Sequence, residues 1–171
     1  NDPTAKIRPE EGLLRMRKKL GLYANIRPTY TFDSLLEKSP IKKSIIQGTD
    51  LVFVRELTGG IYFGKRGRNK TDDYAYDTCE YNVNEIKRLA KIGFELAMKR
   101  SKKLCCIDKA NVLETSRLWR QTVQSLEKNY PEVNVSYEFV DAVAMRLIHS
   151  PSYYDVLITS NLFGDILTDE A

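Results

Sequence analysis

Residues 82–107 read NVNEIKRLAKIGFELAMKRSKKLCCI, and they decide the fold class because a helix pattern leads directly into a strand pattern. Asn82 and Glu85, three residues apart, resemble a capping box at the start of a helix. The apolar run at 104–107 predicts a buried strand. Between the two, small or apolar residues recur at helical spacing: Ile86, Leu89, Ala90, Gly93, Phe94 and Ala97.

The same alternation extends over the rest of the chain. Strand patterns occupy 51–54, 133–140 and 153–159. A helix pattern runs from Leu118 to Tyr130, where Pro131 stops it, and another begins at Pro9 and ends at Gly21. Strands that alternate with helices predict an α/β domain with a largely parallel sheet.

The segment 59–81 departs from this pattern. It begins with two glycines, passes through a basic turn and contains Tyr74, Tyr76 and Tyr81. We expect an irregular extended excursion, such as an antiparallel arm. A solvated loop and a tyrosine-rich interface are equally compatible with its composition.

Composition narrows the class of protein. With 171 residues, 42% apolar and 29% charged, the chain is typical of a soluble globular protein. No apolar run approaches the roughly 20 residues of a membrane span. The net charge of +4 comes from dispersed basic residues without aromatic interleaving, which argues against nucleic-acid binding. Cys79, Cys105 and Cys106 cannot all pair and form no CxxC motif, so we expect reduced, buried thiols in a cytoplasmic protein and no zinc site.

The two ends predict a piece of a longer protein. The chain lacks an initial Met, and it stops at Ala171 inside a helix pattern. Residues 1–6 are neither a signal peptide nor a transit peptide.

Charged residues follow the predicted strands. Arg55, Lys109, Asp141 and Asp165 each come after a strand pattern. Ligands of open α/β sheets bind outside the carboxyl ends of the strands, so these four side chains are expected to line one crevice. A solvated strand end is the alternative for each residue taken alone.

Asp165 and Asp169 lie four residues apart and share a helix face. Such a pair opposes helix formation by about 0.2–0.5 kcal/mol unless a cation neutralises it. Oxygen ligands suit Mg²⁺ or Mn²⁺. On spacing alone, a simpler interpretation is favoured, in which Asp165 stabilises the helix start and Asp169 faces water.

Five strings stand out along the chain: PEEGLLRMR at 9–17, ANIRP at 24–28, VRELTGGIYFG at 54–64, DKANVL at 108–113 and NLFGDILTD at 161–169. In order and spacing they resemble the 3-isopropylmalate dehydrogenases over essentially the whole chain, and RELTGGIYFG at 55–64 is the most specific. The resemblance implies an isocitrate/isopropylmalate dehydrogenase-like α/β fold. Residues 1–22 would form the last helix of the first domain, and 23–171 would form a second, substrate and dimerisation domain with an extended β arm, truncated at its C-terminus.

The resemblance also implies roles for individual residues. Arg17, Arg27 and Arg55 match arginines that hold the malate carboxylates, for which the planar guanidinium is suited. Tyr62 matches the proton donor to the enol carbon, and Lys109 matches the lysine that helps deprotonate the substrate hydroxyl. The remaining matches are Glu10, Leu13, Leu14 and Val112 in the isopropyl pocket, Asn111 near the nicotinamide, and Asp141, Asp165 and Asp169 around the metal.

The function implied is NAD-dependent oxidative decarboxylation of (2R,3S)-3-isopropylmalate to 2-oxoisocaproate in leucine biosynthesis, with Mg²⁺ or Mn²⁺. The family's homodimer shares its sites, so Lys109 and Asp141 would enter the neighbouring subunit's site. The arm and the helices around 112–130 and 141–149 are candidates for the interface.

Two alternatives remain open. One is a dehydrogenase for another 2-hydroxy acid, such as isocitrate or tartrate. Leu13 and Leu14 argue against isocitrate, because its third carboxylate would need polar partners. The other is a non-catalytic, dimer-forming module, because the family's opening strand, its glycine turn and the adenosine-binding segment are missing from this chain.

Overall fold

The computed structural model describes residues 9–171, which contain six α-helices, three short 3-10 helices and seven strands. The part of the predicted first-domain segment at 1–8 falls outside the described residues. The helices are α1 (Pro9–Leu20), α2 (Lys43–Ile46), α3 (Val83–Lys99), α4 (Glu114–Glu127), α5 (Val140–His149) and α6 (Asn161–Glu170). The strands are β1 (Ala24–Tyr30), β2 (Asp50–Glu56), β3 (Arg66–Arg68), β4 (Ala75–Asp77), β5 (Lys103–Asp108), β6 (Asn134–Phe139) and β7 (Val156–Thr159).

The main sheet has five strands in the order β1-β2-β7-β5-β6. The pairs β2–β7, β7–β5 and β5–β6 are parallel, and β1 is antiparallel to β2. The predicted α/β class with a largely parallel sheet is therefore confirmed. Because β2, β7, β5 and β6 run the same way, the residues that follow these strands lie along the same end of the sheet.

The sequence did not predict β1. Its segment contains Arg27 and Pro28 and lacks regular alternation of apolar residues. Proline is tolerated in an edge strand, where its nitrogen needs no partner. In the described residues β1 pairs only with β2, so it occupies such an edge.

Helix α3 forms as its capping box predicts. The side chain of Asn82 accepts from the backbone nitrogens of Asn84 and Glu85, and the Glu85 carboxylate accepts from the Asn82 nitrogen at 2.9 Å. A Cβ on Gly93 would lie 2.3 Å from Ile158 Cγ2, so this glycine lets α3 approach the sheet closely.

Helices cover both faces of the sheet. On one face, α3 and α4 bury Phe94 and Trp119 against Val54. On the other, Val143 of α5 and Leu167 of α6 pack in a second core cluster. Asn161 at the start of α6 follows β7 and contacts Arg55 near the end of β2, so the start of α6 lies beside the carboxyl ends of both strands.

The excursion at 59–81 contains the predicted antiparallel arm, in which β3 pairs with β4. Tyr74 and Tyr76 beside the arm's turn expose 63% and 45% of their surface. Both rings are therefore available to a partner or to solvent.

Two local predictions need correction. The strand predicted at 153–159 begins only at Val156, because Tyr153 belongs to a 3-10 turn that starts at Pro151. All three cysteines are free as expected, but Cys79 is exposed while Cys105 and Cys106 are buried in β5. None of the helices in the described residues is both long and apolar enough to traverse a lipid bilayer.

Candidate active site

Arg55, at the end of β2, is a buried cation with a fixed orientation. It is only 2% exposed. Its Nε and Nη2 donate to Asn161 Oδ1 at 3.2 and 2.9 Å, and its Nη1 pairs with Asp165. Asn161 follows β7, the parallel neighbour of β2, so sheet pairing brings the two together.

Tyr62 ends a 3-10 turn at Gly60–Tyr62 and donates to Asp165 Oδ2 at 2.6 Å. Burial, followed by the hydrogen bond and charge of Asp165, raises the pKa of Tyr62 to about 12. Burial also acts to raise the pKa of Asp165, but the hydrogen bond from Tyr62 and the charge of Arg55 outweigh it, and that pKa is lowered. At neutral pH the pair is therefore a protonated phenol on a charged carboxylate.

Two further arginines approach the same helix. Arg27 on β1 donates from Nη1 to Thr168 Oγ1 at 3.1 Å and pairs with Asp169 Oδ1 at 3.4 Å. Arg17 lies near the end of α1, where burial and then the positive charge of Arg55 lower its pKa. Three guanidinium groups thus face two carboxylates, which leaves one net positive charge to attract an anionic ligand.

Lys109 and Asp141 form a separate pair at the same edge. Lys109 Nζ donates to Asp141 Oδ1 at 2.6 Å, and this hydrogen bond lowers the pKa of Asp141. Lys109 follows β5, which β7 separates from β2, a distance of about 10 Å at the usual strand spacing. Within residues 9–171 no hydrogen bond or ion pair joins this pair to the Arg55–Asp165 cluster. The expected crevice therefore holds two clusters.

The residues expected in the isopropyl pocket divide in the same way. Glu10, Leu13 and Leu14 lie on α1, the helix that also carries Arg17. Val112 is 61% exposed in the turn after β5, and its nitrogen donates to the Lys109 carbonyl at 3.0 Å. Asn111 is exposed in that same turn.

The expected metal ligands are oxygen donors, as Mg²⁺ and Mn²⁺ require. Asp165 and Asp169 are four apart in α6, and arginines neutralise both. In the part of the chain that the structure describes, no three His, Cys, Asp or Glu side chains gather to hold a metal ion. One chain therefore supplies two carboxylates suited to a divalent cation, Asp165 and Asp169. Asp141 lies apart from them, paired with Lys109.

These strings and this geometry agree with a known family. The sequence model of the isocitrate/isopropylmalate dehydrogenases matches residues 1–171. The chain belongs to the isocitrate/isopropylmalate dehydrogenase family. The predicted resemblance is thereby confirmed.

Two curated relatives are similar over nearly the whole chain. The 3-isopropylmalate dehydrogenase of Bacteroides fragilis is 57% identical over 170 residues, which are 99% of this chain and 48% of that protein. The 3-isopropylmalate dehydrogenase of Clostridium acetobutylicum is 57% identical over 167 residues, covering 96% of this chain and 47% of that protein. The chain therefore spans about half the length of these family members.

A solved structure has the same fold. The crystal structure of isocitrate dehydrogenase from Methylococcus capsulatus matches with a TM-score of 0.86 at 31% identity, covering 99% of this chain and 49% of that one. The isocitrate/isopropylmalate dehydrogenase-like fold predicted from the sequence is confirmed.

Sequence reasoning missed two residues that shape this family member's site. Asn161 is fully buried and holds Arg55. A Cβ on Gly164 would lie 2.6 Å from Arg55 Cγ, so the glycine makes room for the arginine. For Asn161 a usable signal existed, since it follows a strand pattern as the charged candidates do. For Gly164 no local sequence pattern predicted the contact with Arg55.

Proposed function

We propose that the protein containing this chain catalyses NAD-dependent oxidative decarboxylation of (2R,3S)-3-isopropylmalate to 2-oxoisocaproate, a step of leucine biosynthesis, with Mg²⁺ or Mn²⁺. The observation that carries the proposal is the Arg55–Asp165–Tyr62 cluster, flanked by Arg17 and Arg27. The curated relatives at 57% identity bear the name of that activity.

The arginines bind and orient the substrate. Arg55 holds one carboxylate through the N–H groups that Asn161 and Asp165 leave free, and the half-buried Arg27 and Arg17 engage the second. A guanidinium stays charged at any working pH, so this recognition needs no proton transfer.

Two residues move protons. Lys109 helps to remove the proton of the substrate hydroxyl, and Tyr62 later gives a proton to the enol carbon. A phenol whose pKa is raised to about 12 keeps its proton at neutral pH, as a proton donor must. Asp165, Asp169 and Asp141 would hold a divalent cation, which would supply stabilisation of negative charge on oxygen, and NAD would supply a hydride acceptor.

We further propose a homodimer with shared sites. Within one chain, Lys109 and Asp141 lie apart from the Arg55–Asp165 cluster. A twofold axis that brings the Lys109 pair of each subunit to the arginines of the other completes two sites at once. In the same arrangement α1, which has no buried residue, belongs to a first domain, and residues 23–171 belong to a second domain.

The test compares substrates with the full-length protein. NADH formation is measured with Mn²⁺ and 3-isopropylmalate, isocitrate or tartrate, and we expect the largest kcat/KM for 3-isopropylmalate. In the proposed site Leu13 and Leu14 would give the substrate pocket an apolar wall, which a third carboxylate would not tolerate. A larger kcat/KM for isocitrate would make the substrate assignment wrong. No turnover of any 2-hydroxy acid would favour a non-catalytic, dimer-forming module.

The 171 residues on their own are expected to be inactive. They lack most of the family's dinucleotide-binding segments, so the same assay should give no NADH. NADH formation by these residues alone would show that they already contain a working dinucleotide-binding site.

A further inference from the structure

Asn161 makes hydrogen bonds to three separate parts of the site. It is fully buried. Its Oδ1 accepts both hydrogen bonds from Arg55, its Nδ2 donates to the Gly59 carbonyl at 3.1 Å, and its backbone nitrogen donates to the Tyr81 hydroxyl at 2.9 Å. Because the oxygen and the nitrogen of its buried side-chain amide are both hydrogen-bonded, displacing the side chain would leave buried polar groups unpaired.

The peptide that Asn161 holds is the one leading into Tyr62. Gly59 makes hydrogen bonds through both of its backbone groups: its nitrogen donates to Glu56 Oε2 at 2.7 Å, and its carbonyl accepts from Asn161. Tyr81 fills the space beside it, and a Cβ on Gly59 would lie 2.7 Å from the Tyr81 ring. The turn therefore cannot shift without breaking these contacts.

Arg55 and Tyr62 converge on Asp165 from the two fixed points that Asn161 provides. Arg55 Nη1 meets Oδ1 of that carboxylate, and the Tyr62 hydroxyl meets Oδ2. Asp165 lies four residues after Asn161 in α6, so both face the same side of the helix.

We propose that Asn161 is a positioning residue, whose single amide fixes Arg55 and the Gly59–Tyr62 turn relative to Asp165. Substrate binding through Arg55 and protonation through Tyr62 are thereby coupled through one side chain. This inference rests on the proposed function, because it assigns no chemistry of its own to Asn161.

The first test is a kinetic double-mutant cycle in the full-length protein. Asn161→Ala should lower kcat/KM for 3-isopropylmalate by about 100-fold, the scale of an ångström of misplacement, by raising KM and lowering kcat together. In a Tyr62→Phe background the effect of Asn161→Ala on kcat should shrink to less than about 3-fold, because the residue through which it acts is already impaired. A purely structural role would give the same fold-loss in both backgrounds, and that result would overturn the proposal.

A second variant guards against failure to fold, since Asn161→Ala leaves the buried Arg55 without an acceptor. Asn161→Asp keeps that acceptor but turns an oxygen instead of an N–H toward the Gly59 carbonyl. We expect a folded variant by thermal unfolding, with kcat reduced at least about 10-fold for the same geometric reason. Asn129→Asp makes the same change at an exposed position and is the matched control.

The outcomes separate the two proposals. Wild-type protein without 3-isopropylmalate turnover contradicts the proposed function. An active wild type with a folded Asn161→Asp variant of unchanged kcat overturns the role of Asn161 alone.

Discussion

Tyr62 donates its hydroxyl hydrogen to Asp165 Oδ2 across 2.6 Å, while Arg55 pairs with the other oxygen of that carboxylate. The carboxylate stays charged and the phenol stays protonated. This relationship joins a proton donor, an anion and a buried cation.

Replacing Tyr62 by Phe tests the proton donor. The change removes one hydroxyl and keeps the ring, so the fold should survive while kcat falls by about 100-fold or more, the usual range for loss of a general acid. KM should change less than kcat, because the hydroxyl donates to Asp165 and not to the arginines proposed to bind the substrate. Steady-state kinetics provide the measurement, with Tyr74→Phe, an exposed tyrosine of the arm, as control.

The pH dependence of kcat follows from the raised pKa of Tyr62. A group with a pKa of about 12 keeps its proton far into the alkaline range. The plot of kcat against pH should therefore show no decline near pH 10, where an exposed tyrosine would lose its proton. A descending limb near pH 10 that disappears in Tyr62→Phe would contradict this environment for the phenol.

The metal role of Asp165 is tested by Asp165→Asn. The asparagine amide has no negative charge, and its NH2 group cannot act as a metal ligand. Mn²⁺ binding, measured by calorimetry, should therefore weaken at least about 10-fold. Glu170→Gln removes a charge from an exposed residue of the same helix and is the control. An unchanged Mn²⁺ affinity for Asp165→Asn would remove Asp165 from the ligand set.

Gly164→Ala tests the contact between α6 and Arg55. The new methyl would lie 2.6 Å from Arg55 Cγ and 2.7 Å from Thr159 Cγ2, so Arg55 must move. We expect a loss of about 1–3 kcal/mol in the free energy of unfolding and a raised KM. Gly12→Ala, with nothing within 4 Å of its Cβ in helix α1, should instead be neutral or stabilising by urea unfolding.

Acid should weaken the start of β7 through Asp155. Burial acts to raise the pKa of this carboxylate, but the hydrogen bonds from Ser101 and Arg100 outweigh it, and the pKa is lowered. A lowered folded pKa means stability that is complete above the unfolded value of about 3.9 and lost as pH falls through the folded value. Asp155→Asn should cost about 1.5–3 kcal/mol at pH 7 and flatten the decline below pH 4, measured by urea unfolding. Asp77→Asn is the exposed control.

The shared-site proposal is tested by mixing two inactive full-length variants, Lys109→Ala and Arg55→Ala. If each site takes Lys109 from one subunit and Arg55 from the other, the heterodimer has one doubly damaged site and one intact site. Activity should reappear above either parent, to about half of the wild-type value per heterodimer. Heterodimers confirmed by native mass spectrometry but lacking activity would place the whole site in one chain.

Local patterns by themselves determined most of the elements. The capping box at Asn82 and the spacing from Ile86 to Ala97 predict α3, and the structure confirms it. Helix periodicity and apolar runs involve neighbours within a few residues, so they can be seen in the sequence. Motif strings such as RELTGGIYFG also fixed the family, because their order and spacing survive without any coordinates.

Only the tertiary structure decided which side chains meet. The order β2-β7-β5 separates Arg55 from Lys109, and no local pattern contains the order of strands. The strand pattern before Asn161 shows that this residue follows a strand, but it does not show that the side chain holds Arg55. The two residues are 106 positions apart in the chain, and such a contact exists only after the sheet has paired. Sequence determined the periodic elements and the chemical groups, whereas long-range strand pairing determined their geometry.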